Sequence, residues 1–114
     1  MKSYTNIEQS RKLAEILPLK SADMSWVSCD DGRQKYYQAE NRKIILDYEK
    51  KHWLPCWSLA ALLGVLPDYT LQTNTDGTVF VVCESKKPMI SDAYDNPIDA
   101  CYEMIVKLHE LNLL

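Results

Sequence analysis

Residues 70–84 read Thr-Leu-Gln-Thr-Asn-Thr-Asp-Gly-Thr-Val-Phe-Val-Val-Cys-Glu, and this stretch decides the fold class. Thr, Val and Phe favour extended chain. Asp76-Gly77 is a favoured two-residue hairpin turn, because both central positions of a type I′ turn need positive φ. The stretch predicts strands over Thr70–Thr75 and Thr78–Glu84. A two-residue turn opposes Thr75 to Thr78, Thr73 to Phe80 and Leu71 to Val82. Leu71, Phe80 and Val82 then share the core face. Val79, Val81 and Cys83 fall on the other face, part of which a further strand or helix must cover.

Helical signals flank the hairpin. On its C-terminal side Asn96 is an N-cap, Pro97 suits the first helical position and Asp99 sits at the positive end of the helix dipole. Ile98, Cys101, Tyr102, Met104, Ile105, Val106 and Leu108 make a wide apolar face, with His109 placed within it. Asp99, Glu103, Lys107 and Glu110 make the polar one, where Glu103 and Lys107 pair at i,i+4. On its N-terminal side, residues 55–67 run from Pro55, suited to a helix's first turn, to Pro67, which stops it. No polar side chain stands between Leu59 and Leu66. This helix of about ten residues is expected to be covered on nearly all sides and to form the central core element.

The first helix is expected over Asn6–Leu17, with Thr5 and Glu8 as a capping box and Pro18 beyond its end. Ile7, Ser10, Leu13, Ala14 and Leu17 share one arc at 100° per residue, and Arg11, Lys12 and Glu15 face outward. Met24–Cys29 reads as a strand ending in the Asp30-Asp31-Gly32 turn. Arg33–Trp53 is two-sided. Ile44, Leu46 and Tyr48 alternate as in a strand, whereas Tyr37, Asn41, Ile44, Tyr48 and His52 fit a helical stripe. Short strands at Lys35–Gln38 and Lys43–Glu49 are the reading adopted. The sum is an α+β chain whose residues 1–114 form a single compact domain, about three helices packed on a small, mainly antiparallel sheet.

Bulk composition removes several classes. At 114 residues about two-thirds of the unfolded chain's surface can be buried, so a core is available without disulfide or metal staples. Thirteen Lys and Arg stand against 16 Asp and Glu, and the pI is about 5.3. Phosphate-gripping domains carry a basic excess, so nucleic acid is not the expected partner. The basic clusters Arg42-Lys43, Lys50-Lys51-His52 and Lys86-Lys87 are interleaved with Asp47, Glu49 and Glu84, as solvated faces are. The N-terminus lacks the apolar run of a signal peptide and no stretch is long enough to span a bilayer, which points to a cytoplasmic chain without a membrane segment.

Catalytic and metal motifs fail one by one. Gly32, Gly64 and Gly77 are isolated, so neither a Rossmann nor a P-loop fingerprint is present and no cofactor is expected. His109-Glu110 opens like a zinc-protease motif, but Leu113 occupies the position of its second His. Cys29, Cys56, Cys83 and Cys101 contain no C-x-x-C pair, and His52 with Cys56 would need zinc ligands from elsewhere. Asp92, Asp95 and Asp99 lack the spacing of a calcium loop and read as negative charge at a helix N-terminus. A small cysteine hydrolase or transferase using His52 or His109 is the enzymatic alternative, and a nucleic-acid-binding regulator is the third.

Aromatic distribution supplies the leading functional reading. Seven Tyr and three Trp outweigh the single Phe80, so nearly every aromatic residue carries a polar tip. Trp26, Trp57 and Tyr102 suit core positions. Tyr36, Tyr37 and Trp53 sit among charges beside Lys50 and Lys51, and side chains of this kind anchor protein interfaces. Those five residues are the expected partner-binding site, for a protein partner or a second copy of the chain, with no metal and no catalytic residue assigned.

Three blocks also carry a resemblance: the N-terminal N-I-E-Q-S-R-K-L, the P-C-W-S-L-A-A-L-L-x-x-L-P segment and the ending D-N-P-I-D-A-C-Y-E-M-I-V-K-L-H-E-L-N-L-L. They resemble small uncharacterised proteins of Bacteroides-type gut bacteria and their prophages or other mobile elements. The resemblance covers about half of the chain and brings no activity or functional residue with it. It implies a cytoplasmic accessory protein of phage or mobile-element origin.

Overall fold

Helix α1 spans Ile7–Ile16 and begins one residue later than the Thr5 reading requires. Asn6 is the N-cap: its side chain accepts the Gln9 N–H at 2.8 Å, and the Gln9 side chain accepts the Asn6 N–H at 3.1 Å. Both residue pairs satisfy the capping-box pattern. Thr5 is unavailable for it because its hydroxyl is buried and engaged elsewhere. The computed structural model describes residues 2–30, 32, 35–40, 53–84 and 87–114, with the backbone alone at 29, 30, 35–37 and 53. The expected strand Lys43–Glu49 lies outside the described residues.

The fold class holds: among the described residues three α-helices pack with antiparallel strands in one α+β domain. Among the described residues the strands form two three-stranded sheets instead of one. In the first, β1 (Met24–Asp30) lies between β2 (Lys35–Glu40) and β3 (Trp53–Cys56). Pro55 is therefore a strand residue and not a helix start. On β3 it occupies an edge strand, where a missing N–H is tolerated. Helix α2 is shorter than expected, Leu59–Val65, with Ser58 as N-cap. Asp23 holds that cap: its carboxylate accepts the Ser58 hydroxyl and, at 3.0 Å, the Ser58 N–H.

The second sheet orders β4 (Tyr69–Thr73), β5 (Val79–Cys83) and β6 (Met89–Ile90). Its register corrects the hairpin reading. Leu71 faces Val81 and Thr73 faces Val79, one residue away from the two-residue-turn alignment. The loop is three residues, Thr75-Asp76-Gly77, flanked by the Asn74 N–H bonded to the Thr78 carbonyl at 2.7 Å. Gly77 takes φ +88°, as a glycine closing such a loop does. Asp76 explains the choice of turn. Its carboxylate accepts both the N–H and the hydroxyl of Thr78, at 2.9 and 2.6 Å, and these bonds hold its pKa below the usual carboxylate range. A one-residue slip reverses every face. Val81 and Cys83 are fully buried, while Phe80 and Val82 are half-buried on the outer side.

Helix α3 (Pro97–Glu110) is the central core element, a place that the sequence assigns to the apolar helix before the hairpin. Ile98, Ala100, Cys101, Met104, Ile105 and Leu108 are all fully buried on α3, whereas Leu62 is the buried residue of α2 and its Ala60 and Gly64 are exposed. The reason is length. Fourteen residues give α3 about 21 Å of axis, enough to carry a continuous stripe, and seven give α2 about half of that. Around α3 pack Leu13 and Leu17 of the first helical segment, Trp57, Leu62, Leu66, Val81 and Cys83. Each large aliphatic side chain buried there contributes about 1.5–3 kcal/mol. The expected Glu103–Lys107 pair is present at 3.2 Å. The α3 C-terminus closes on Asn112 at φ +55°, with the Leu113 N–H on the Leu108 carbonyl and the Asn112 N–H on that of His109. This is a Schellman closure with Asn in the left-handed position.

The register has a direct test in paired substitutions. Val81→Thr buries a hydroxyl and is expected to cost roughly 1–2 kcal/mol in urea unfolding, while Val82→Thr stays within about 0.5 kcal/mol. Equal costs, or the reverse order, would restore the two-residue turn.

Candidate functional site

Strand pairing separates the residues that the sequence groups together. Val27 on β1 faces both Gln38 on β2 and Trp53 on β3, and Cys29 faces Tyr36. By alternation, positions 36, 38, 27 and 53 share one face of the first sheet. Tyr37 faces Ser28 and belongs to the opposite face, with Trp26 and Leu54. Lys50 and Lys51 lie outside the described residues, as does His52.

The two faces have different surroundings. The Tyr37 face is the one turned to the N-terminal segment and α1. There the Trp26 Nε1 donates to the Thr5 carbonyl at 3.0 Å, and its ring meets Tyr4 edge-on with centroids 5.5 Å apart. Cys56, opposite Met24 on that face, is buried against Thr5. Positions 36 and 53 therefore lie on the face turned away from α1, the outer face, where Gln38 is exposed, Val27 and Pro55 are half-buried and Ser25 is fully buried.

Thr5 is the polar centre beneath the inner face. Its hydroxyl oxygen accepts the Trp57 N–H at 3.1 Å and shares a 2.8 Å hydrogen bond with the Ser10 hydroxyl, all three residues being fully buried. Its N–H donates to the Trp57 carbonyl at 3.0 Å. Sequence reading missed this cluster because a buried Thr carries no periodic signal, and Thr5 competes with its own capping motif. Trp57 is fully buried as expected, with its Nε1 on the Ser21 hydroxyl at 3.0 Å.

The described thiols at positions 56, 83 and 101 are buried, which disfavours the thiolate. Burial pushes the Cys56 thiol up, against the opposing pull of hydrogen bonds from Thr5 and Ser10. Burial likewise raises Cys83, with a smaller contribution from the Asp68 charge. Cys101 is pushed up to about 12 by burial, with Cys83 adding to it. A nucleophilic cysteine needs the opposite, a lowered pKa and partial exposure. His109 is exposed at the end of α3 and not on its apolar face. Among the described residues, no group of three or more His, Cys, Asp and Glu side chains is placed to hold a metal.

The charged groups at the helix starts serve structure. Asp99 accepts from Lys2 at 2.7 Å, from Gln9 at 2.8 Å and from Asn96 at 2.8 Å, tying the first turns of α1 and α3 together. Burial raises the Asp99 pKa, and these three bonds with the Lys2 charge outweigh it, leaving the carboxyl below its ordinary value.

Comparison with known proteins finds no family model, no curated relative and no solved structure that matches the chain. Among the described residues, no helix is long and apolar enough to cross a membrane.

Thiol reactivity tests the buried positions. In the native protein at neutral pH, Cys56, Cys83 and Cys101 should react with an aromatic disulfide reagent only at the rate of unfolding. A fast-reacting thiolate at any of the three would contradict the placement.

Proposed function

We propose that the chain is a non-enzymatic protein-interaction module, a cytoplasmic accessory protein of mobile-element type, that meets its partner on the outer face of the first sheet. The observation that supports this reading is the register placing Tyr36 and Trp53 on one face, away from α1, beside exposed Gln38. Amphipathic aromatics on a sheet face supply contact area together with a hydrogen-bonding tip, the combination that dominates interface energetics. Tyr37, opposite Ser28, holds a register position on the other face and falls outside this surface. Lys50 and Lys51 belong to the proposed partner-binding set by their sequence position beside Trp53, since charged residues accompany aromatic anchors at interface margins. Burial of Cys56, Cys83 and Cys101 disfavours the thiolate at these three described positions.

A photo-crosslinking amino acid at Gln38 is expected to give a discrete protein adduct in cells, and the same group at exposed Ala14 on α1 should not. Trp53→Ala should remove the adduct while changing unfolding free energy by less than about 1 kcal/mol, against about 3–5 kcal/mol for a core Trp. No adduct from position 38, or a core-sized loss of stability in the Trp53 variant, would overturn the proposal.

A further inference from the structure

Sheet edges carry free backbone groups, and proteins usually blunt them with charge, proline or brevity. In the second sheet the two edges are treated differently. The β6 edge is two residues long and preceded by Lys87-Pro88. The β4 edge, Tyr-Thr-Leu-Gln-Thr over residues 69–73, has no charge, no proline and five residues of regular extended chain. Four of those five residues are exposed and Leu71 is half-buried.

Hydrogen-bond alternation shows which groups face outward. The Asn74 N–H bonds the Thr78 carbonyl and the Glu84 N–H bonds the Asp68 carbonyl, so the even positions of β4 are those bonded to β5. The odd positions of β5 are turned to its other side. There Val79 exchanges both bonds with Tyr94, and the Val81 N–H and carbonyl bond the Ser91 hydroxyl and N–H. Tyr69, Leu71 and Thr73 consequently direct their N–H and carbonyl groups away from the sheet. Each such group is an obligatory donor or acceptor, so together they form a template for one more strand.

We infer that β4 is a self-association edge, pairing antiparallel with β4 of a second copy of this chain about a two-fold axis at Leu71. The inference stands apart from the first-sheet reading and uses no residue of that surface. In this alignment Leu71 faces its own symmetry mate and Tyr69 faces Thr73 of the other copy. All outward N–H and carbonyl groups of residues 69, 71 and 73 are then paired. Asp68 meets Asn74, a side chain that can donate to it, so no like charges are opposed. The neighbouring alignments fail on particular residues. A shift one way sets Pro67, which has no N–H, opposite Thr73. A shift the other way sets Asp68 opposite Asp76. Charge and donor complementarity thus select the second copy in a single register. The product is a continuous six-stranded antiparallel sheet in the order β6-β5-β4-β4-β5-β6, with the exposed Ile90, 63% accessible, far from the axis.

The test is sedimentation equilibrium of the full chain over a broad concentration series, together with amide hydrogen exchange. The expected result is a mass rising to that of two chains, with exchange at Tyr69, Leu71 and Thr73 slowing as the dimer fills. Tyr69→Lys/Thr73→Lys puts like charges opposite each other twice across the axis and is expected to weaken association about tenfold or more. Tyr69→Glu/Thr73→Lys opposes unlike charges at the same exposed sites and should restore it, which separates repulsion from misfolding. A chain that remains single throughout, a double-lysine variant that dimerises like the parent, or a dimer whose 69, 71 and 73 amides stay unprotected would each overturn the inference. So would protection of β4 by a different protein alone. A dimer lost in Trp53→Ala but kept in Tyr69→Lys/Thr73→Lys would overturn it while supporting the first-sheet surface.

Discussion

The buried hydroxyl of Thr5 is the constraint on which the arrangement of the chain's N-terminal half depends. It joins the segment before α1 to Trp57, takes Ser10 of α1 as a second partner and leaves its backbone carbonyl for Trp26 of β1. Three stretches distant in sequence meet at one residue: the N-terminal segment with the start of α1, β1 and the segment after β3. Burying a polar group is unfavourable unless it is satisfied, so these bonds act as a geometric condition: only a chain path bringing all partners together avoids the penalty. Nonpolar contacts of similar area would tolerate sliding, because the hydrophobic effect has no direction.

The other half of the molecule is organised by α3 and β5. The fully buried stripe of α3 meets Val81 and Cys83, and the three-residue turn at Asp76-Gly77 decides that these residues, and not Phe80 and Val82, face it. The Lys2–Asp99–Gln9 network then fastens the start of α1 to the start of α3, linking the two halves by polar contacts around their shared apolar core. The two sheets set apart two different features: a face that carries register positions 36 and 53, and the uncharged edge of β4.

Legibility in the sequence followed how local the determining interaction was. The start and apolar stripe of helix α3 were readable because Asn96, Pro97 and the stripe are contiguous signals, whereas the place of His109 outside that stripe and the helix's central role in the core were not. The hairpin's existence was readable, but its register was not. Asp-Gly suits a two-residue turn, and the Asp76 carboxylate's bonds to Thr78 favour the longer one. The α1 cap lay one residue from its expected place because Thr5-x-x-Glu8 and Asn6-x-x-Gln9 are both capping patterns. Pro55 looked like a helix start, since nothing local marks Trp53–Cys56 as the edge partner of β1. The proposed site was legible only as a composition of aromatics. Its division between two faces follows from pairing with Ser28 and Cys29, which no neighbouring residue announces.

The central claim is that one satisfied buried hydroxyl fixes the chain path, and Thr5→Val tests it most directly. Valine keeps the volume and removes the oxygen, leaving the Trp57 N–H and the Ser10 hydroxyl without this partner. Urea unfolding is expected to show a loss of about 2–4 kcal/mol, with Thr5→Ser losing no more than about 1 kcal/mol. A valine variant within about 0.5 kcal/mol of the parent would contradict the account and shift the organising role to apolar packing alone.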